Sequence, residues 1–166
     1  MIAAVGLTAL AALAQQAPAD TASATALRPY LTQDAAAAGI QACLAYARRE
    51  DLRVAVAVRD RGGNLVAFTR MDDVFVKQAE LARIKAETAA TTPASTARIG
   101  DLAYAADSPL RGLELVPGVT PVEGGEPITL STGDAIGGVG VSGASPAQDG
   151  ACARLAVQAI RRASEE

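Results

Sequence analysis

Arg53–Arg70 reads RVAVAVRDRGGNLVAFTR, and this stretch decides the fold class. Val54, Val56 and Val58 alternate with Ala55, Ala57 and Arg59. A β-branched residue at every second position predicts a strand over Arg53–Asp60. The apolar residues between them predict cover on both faces. Arg61-Gly62-Gly63-Asn64 is turn chemistry, and Asn64–Arg70 reads as the returning strand, so the pair forms a hairpin.

Helical spacing takes over on either side. Thr32 can cap a helix from about Gln33 to Glu50, with Ala36, Ile40, Cys43, Leu44 and Ala47 as its apolar stripe. Asp72 and Asp73 stand at the expected start of a second helix, about Val74 to Ala90, where acidic groups suit the helix dipole. Pro93 stops it. Ser95 opens a short helix to about Ala105, which Ser108-Pro109 breaks. From Leu110 to Gly143 glycine and proline replace alanine, and Ala135 is the one alanine left. There ITLSTG and DAIGGVGVSG read as a second hairpin meeting near Thr132-Gly133-Asp134. Ser145-Pro146-Ala147-Gln148 is a capping box that opens a last helix to about Ala163. Two hairpins with helices around them predict an α+β domain built on an antiparallel sheet.

The chain has 166 residues, the size of one domain. Its 15 basic and 18 acidic residues leave a net charge of −3, which gives no footprint for nucleic-acid binding. It has no histidine. That excludes Ser–His–Asp and Cys–His nucleophile systems, histidine zinc sites and an imidazole ligand on haem iron. A general acid or base must be a carboxylate, Lys, Tyr or Cys.

Residues 1–14 (MIAAVGLTALAALA) are uncharged and too short to span a bilayer, which takes about 20 residues. They are expected to be a signal peptide, with Ala12-Leu13-Ala14 as its small–x–small cleavage pattern. Residues 15–27 are expected to be a flexible linker, and 28–166 the single folded domain. Export would permit a disulfide. Cys43 and Cys152 each fall on the apolar side of a helix, either as buried thiols or as a pair if those helices are neighbours.

Several residues invite a functional reading beside a plainer one. Gly138–Gly143 matches G-x-G-x-x-G. A dinucleotide site is rejected because only one helix remains downstream. The glycines instead let a backbone or a flat ligand come close to the strand. Lys85, beside the apolar stripe of its helix, either snorkels to solvent or supplies a cation to a pocket. Glu80 and Glu87 could pair with cations on that helix. Arg70 ends a strand, where a guanidinium can hold a carboxylate bidentately or simply face water. Glu123-Gly124-Gly125-Glu126 is a carboxylate-flanked turn. Tyr46, Tyr104, Met71, Cys43 and Cys152 are the soft or phenolic groups that could reach iron, and each also suits a core.

In order, AVAVRDRGGNLVAFTRMDD, ELARIKAETA, PAST and VEGGEPITL…GDAIGGVGVSGASPAQDGACARLA resemble the GlcG/HbpS-like family, whose domain also forms the C-terminal part of PduO-type proteins. The residues carrying the resemblance are Asp60, Gly63, Arg70, Lys85–Ala89, Gly124–Pro127, Gly138–Gly143, Asp149 and Cys152-Ala153, and it covers about Thr32 to Ala159. It implies an α+β fold, self-association into rings or octamers, and haem or a related flat ligand. Relatives described as haem binders often carry histidines near the ligand, and this chain departs from them there. Some relatives carry out small-molecule chemistry, including a lyase acting on a hydroxylaminobenzoate.

The combined expectation is an exported, periplasmic or secreted homo-oligomer that binds a small planar or carboxylated ligand of haem type. It has no nucleic-acid partner, no stable membrane insertion and no metal site made of its own side chains. Contacts are expected from Arg70, Lys85, Thr88, Gly138, Gly140 and Ser142. The alternative is a lyase or isomerase on a small carboxylated aromatic compound. There Arg70 would bind the carboxylate, and Lys85 or Glu126 would move the proton.

Overall fold

A computed structural model describes residues 26–92 and 94–165. The signal peptide expected at 1–14, most of the linker expected at 15–27, and Pro93 lie outside the described residues. The elements run α1 (Gln33–Arg49), β1 (Ala55–Asp60), β2 (Leu65–Arg70), α2 (Val76–Thr91), α3 (Thr96–Tyr104), a 3-10 turn (Leu113–Leu115), β3 (Gly125–Thr129), β4 (Ala135–Ser142) and α4 (Pro146–Glu165). The α+β class is as the sequence predicts.

The two hairpins join into one antiparallel sheet of order β2-β1-β4-β3. β1 and β4 are central and pair in register from Ala55↔Ser142 to Asp60↔Gly137. Asp60 builds the first turn: its carboxylate accepts from the N–H groups of Gly62 and Asn64, both at 2.9 Å, from the Asn64 side chain and from the Tyr30 hydroxyl. Thr32 caps α1 through the Ala35 N–H, and Ser145 and Gln148 close the reciprocal box at the start of α4. Asp72 and Asp73 fall in a turn rather than the first turn of α2. Asp73 takes φ 65°, and α2 starts at Val76, with Phe75 N–H donating to Gln78 at 3.3 Å. A left-handed residue cannot continue into a helix, which displaces the start.

The sheet has unlike faces. Val54, Val56, Val58, Val139 and Val141 turn toward α1 and α4, where they meet Ile40, Leu44, Ala156 and Ile160. Cys43 and Cys152 form a disulfide there, so the two helices are neighbours and the thiols are paired. The other face is paved with small residues. A Cβ on Gly140 would lie 2.1 Å from the Ala82 carbonyl oxygen, and one on Gly138 2.4 Å from the Ala90 nitrogen. Cross-strand pairing puts Ala57 beside Gly140 and Ala55 beside Ser142. Helix α2 lies in this shallow bed on Ala79, Ala82, Ala86 and Ala89. Among the described residues no helix is long and apolar enough to cross a membrane.

Candidate functional site

Lys85 faces inward from α2. The residue is 1% exposed, and its Nζ donates to the Val141 carbonyl at 2.9 Å and to Asp149 Oδ2 at 3.0 Å. Asp149 lies in the first turn of α4, and its other oxygen accepts from the Ala144 N–H at 3.1 Å. Burial pushes the Lys85 ammonium below its usual pKa, against the pull of Asp149 and Glu123. Burial likewise raises the Asp149 carboxyl, against the pull of Lys85 and two backbone N–H groups. Gly124 makes room for the pair. It has φ +123°, and a Cβ there would lie 2.7 Å from Lys85 Nζ.

Thr88, one turn along α2, is buried too. Its hydroxyl bonds the carbonyls of Ile84 and Gly118 at 2.9 Å and the Thr120 N–H at 3.0 Å. It ties the 110–124 segment to α2. Ser142 is buried at the end of β4. Of the two approaches considered for the glycine strand, a backbone or a flat ligand, the α2 backbone occupies the space over Gly138 and Gly140. Glu80 pairs with Lys77 on α2 at 2.7 Å, whereas Glu87 pairs with Arg59 of β1 at 3.2 Å.

Glu126 starts the second hairpin, with its side chain 17% exposed. Burial raises its pKa, partly offset by Arg154 at 3.2 Å. Arg154 also reaches Glu123 at 3.4 Å, so one cation holds both carboxylates of the Glu123-Gly124-Gly125-Glu126 turn.

Arg70 differs from these. It is exposed, closes β2 and lines a pocket of about 340 Å³. Leu44 and Arg48 of α1 line the same pocket, as do Arg53 and the run Thr69 to Asp72. The half-buried Met71 packs against both hydrophobic clusters, so the pocket opens at the end of the sheet where its two layers meet. Arg53 bonds Asp51 at 3.1 Å, while no carboxylate pairs with Arg48 or Arg70 among the described residues.

The structure thus separates the sequence-derived candidates. Lys85, Gly138 and Gly140 are committed to internal contacts between α2 and β4, and Thr88 to the segment at 118–120. Arg70 opens to solvent in a different setting. Its pocket neighbours Arg48 and Arg53 escape a sequence reading. Arg48 stands one turn after Leu44, at the rim of the α1 stripe, but only the packing of α1 beside β2 brings it to Arg70. The soft ligands also thin out. Cys43 and Cys152 are bonded to each other, Tyr46 lies under Arg49, and Tyr104 is 66% exposed on α3. Met71 remains beside the pocket.

The family described as "Haem degrading protein HbpS-like" matches residues 31–158. The protein GlcG of Escherichia coli K12 is 35% identical over 112 residues, which are 68% of this chain and 81% of GlcG. The crystal structure of HbpS superposes with a TM-score of 0.73 at 32% identity, over 81% of this chain and 93% of that one. The crystal structure of a PduOC–haem complex gives 0.73 at 30% identity, over 79% and 95%. With the matched region running from the residue before Thr32 to well inside α4, the chain belongs to the HbpS-like family.

Proposed function

We propose that this chain is a small-ligand-binding protein of haem type, exported, oligomeric and not an enzyme. The observation that carries the reading is the Arg70 pocket. Arginines and Met71 are among the residues that line this one opening, while Lys85, Gly138 and Gly140 are used inside the fold. Guanidinium groups pair bidentately with carboxylates, and haem carries two. Membership of the HbpS-like family and likeness to PduOC, solved with haem, support the choice of ligand.

The residues present fit the carboxylate edge of haem rather than the whole macrocycle, the pocket being about 340 Å³. Arg70 and Arg48 would hold the carboxylates, and Met71 is the soft side chain in the same lining. Bound there, haem would supply a redox-active iron. The chain's own part is to hold the carboxylates and to present an apolar wall from Leu44 and Met71. Export is supported by the character of residues 1–14 and by the Cys43–Cys152 disulfide, which suits an oxidising compartment. The lyase alternative would lose Lys85 as a proton carrier, because its ammonium is buried and bonded on two sides.

The test is an absorbance spectrum and a mass spectrum of the protein as purified from its native host, with its mass in solution measured alongside. A Soret band, a tetrapyrrole mass and a particle several times 16.8 kDa are expected. A monomer that carries no tetrapyrrole and leaves the spectrum of added hemin unchanged would overturn the reading.

A further inference from the structure

Three arginines line the pocket, and the haem reading needs only part of that charge. Arg48 comes from the last turn of α1, Arg53 from the segment before β1, and Arg70 from the end of β2. Three separate pieces of chain therefore contribute arginines to the lining of one opening. Each alone would be an ordinary exposed arginine. Their own carboxylates neutralise them only in part. One nitrogen of Arg53 donates to Asp51 and to the Leu52 carbonyl, and Asp72, which also lines the pocket, pairs with none of the three. Such an arrangement leaves a local positive potential on a chain whose net charge is −3.

The pocket is not uniformly polar. Leu44 is 3% exposed and belongs to the main hydrophobic cluster, and Met71 packs on both clusters. A bare inorganic anion would gain nothing from that apolar floor. A carbon skeleton would, by covering it. The volume, about 340 Å³, is at the lower end of ordinary ligand pockets, which start near 300 Å³. It suits a ligand smaller than a whole tetrapyrrole.

We propose that the Arg48–Arg53–Arg70 pocket binds a small organic dicarboxylate, its two carboxylates shared among the three guanidinium groups and its carbon skeleton laid on Leu44 and Met71. This rests on the reading of the pocket as the ligand site, and it makes the paired carboxylates, rather than the tetrapyrrole plane, the feature the site selects. The third arginine then has a purpose. It supplies the charge that distinguishes a dianion from a monoanion.

Isothermal titration of the full chain at low ionic strength tests this with three probes: benzene-1,2-dicarboxylate, benzoate and inorganic phosphate. The dicarboxylate is expected to bind saturably at one per chain, about tenfold or more tighter than either other probe, or about 1.4 kcal/mol. R48A should bring the dicarboxylate down to the benzoate level, and R48K, which keeps charge but loses the fork, should fall between. R98A, which removes an exposed arginine on α3, should change nothing. Thermal melts of all variants establish that they are folded. Equal binding of dicarboxylate and benzoate, phosphate binding as tightly as the dicarboxylate, or an equal loss in R98A would overturn the proposal. Hemin titrated in parallel separates the two claims. Hemin binding without dicarboxylate binding removes this inference and leaves the haem reading. Dicarboxylate binding without hemin binding does the reverse.

Discussion

Lys85 Nζ lies 3.0 Å from Asp149 Oδ2, with both side chains almost wholly buried, and this ion pair pins the middle of α2 to the start of α4. The same ammonium donates to the Val141 carbonyl, so the end of β4 is held in the same knot. Neither charge could be buried alone at acceptable cost. Removing one partner should therefore destabilise the fold by about 3–5 kcal/mol. K85M should also gain a pH signature. Asp149, deprived of its cation, would titrate at higher pH than in the wild type, and a folded-state pKa raised above the unfolded value favours folding at low pH. The K85M penalty, read from urea unfolding, should be full at neutral pH and shrink as pH falls through the acid range. A penalty flat with pH would contradict the account.

Asp60 works in the opposite direction. Burial would raise its pKa, but hydrogen bonds from Asn64, Tyr30 and Gly62 outweigh burial and hold it below the ordinary carboxylate value. A depressed folded-state pKa gives stability that is present above the unfolded value, about 3.9. That stability is lost as pH falls through the folded value. D60N should cost about 1–3 kcal/mol at neutral pH, and the gap to wild type should narrow below pH ~4. Melting curves across pH would show a constant gap if Asp60 were not the source.

The glycine strand is expected to tolerate no side chain. G140A would place a methyl against the Ala82 carbonyl and the Ala86 nitrogen, both backbone atoms that cannot swing aside. Helix α2 would have to lift from β4, and a loss of about 1–3 kcal/mol or more is expected. G133A, in the second turn at φ +89° with open space around it, should cost less, through backbone strain alone. A G140A protein as stable as wild type would mean that α2 does not sit where the structure has it.

The disulfide spans 109 residues of sequence. Closing so long a loop restricts the unfolded chain, which predicts a loss of about 2–5 kcal/mol in the C43A/C152A double variant. Guanidinium unfolding midpoints with and without reductant should move together in that variant and apart in the wild type. Reductant without effect on the wild type would count against the pairing.

The elements were legible in the sequence wherever the signal was local. The valine alternation at 54–58, the Thr32, Ser95 and Ser145 caps, and the glycine-rich second hairpin each specify their own conformation. What pairs across long separations was not. Nothing near Lys85 names Asp149, 64 residues away, as its partner, so the sequence offered a snorkelling side chain or a pocket cation and not a buried ion pair. Cys43 and Cys152 posed the same problem until α1 and α4 were known to touch. The exchange of alanine for glycine at Leu110 was visible, but its cause was not. Alanines of α2 and glycines of β4 are two halves of one close contact, and a helix fills the space that a flat ligand would need. Arg48 and Arg53 look like any exposed arginines until α1 is laid beside the end of β2.

On the reading proposed above, the ligand is held at the Arg70 pocket and not over the glycine strand. Hemin titration followed by the Soret band tests it most directly, comparing wild type with R70A and with T88V, which alters the buried α2 contact instead. Saturable binding at micromolar protein is expected, weakened about tenfold or more by R70A, a loss of about 1.4 kcal/mol, and unchanged in folded T88V. No Soret change in the wild type, or binding lost in T88V and retained in R70A, would contradict it.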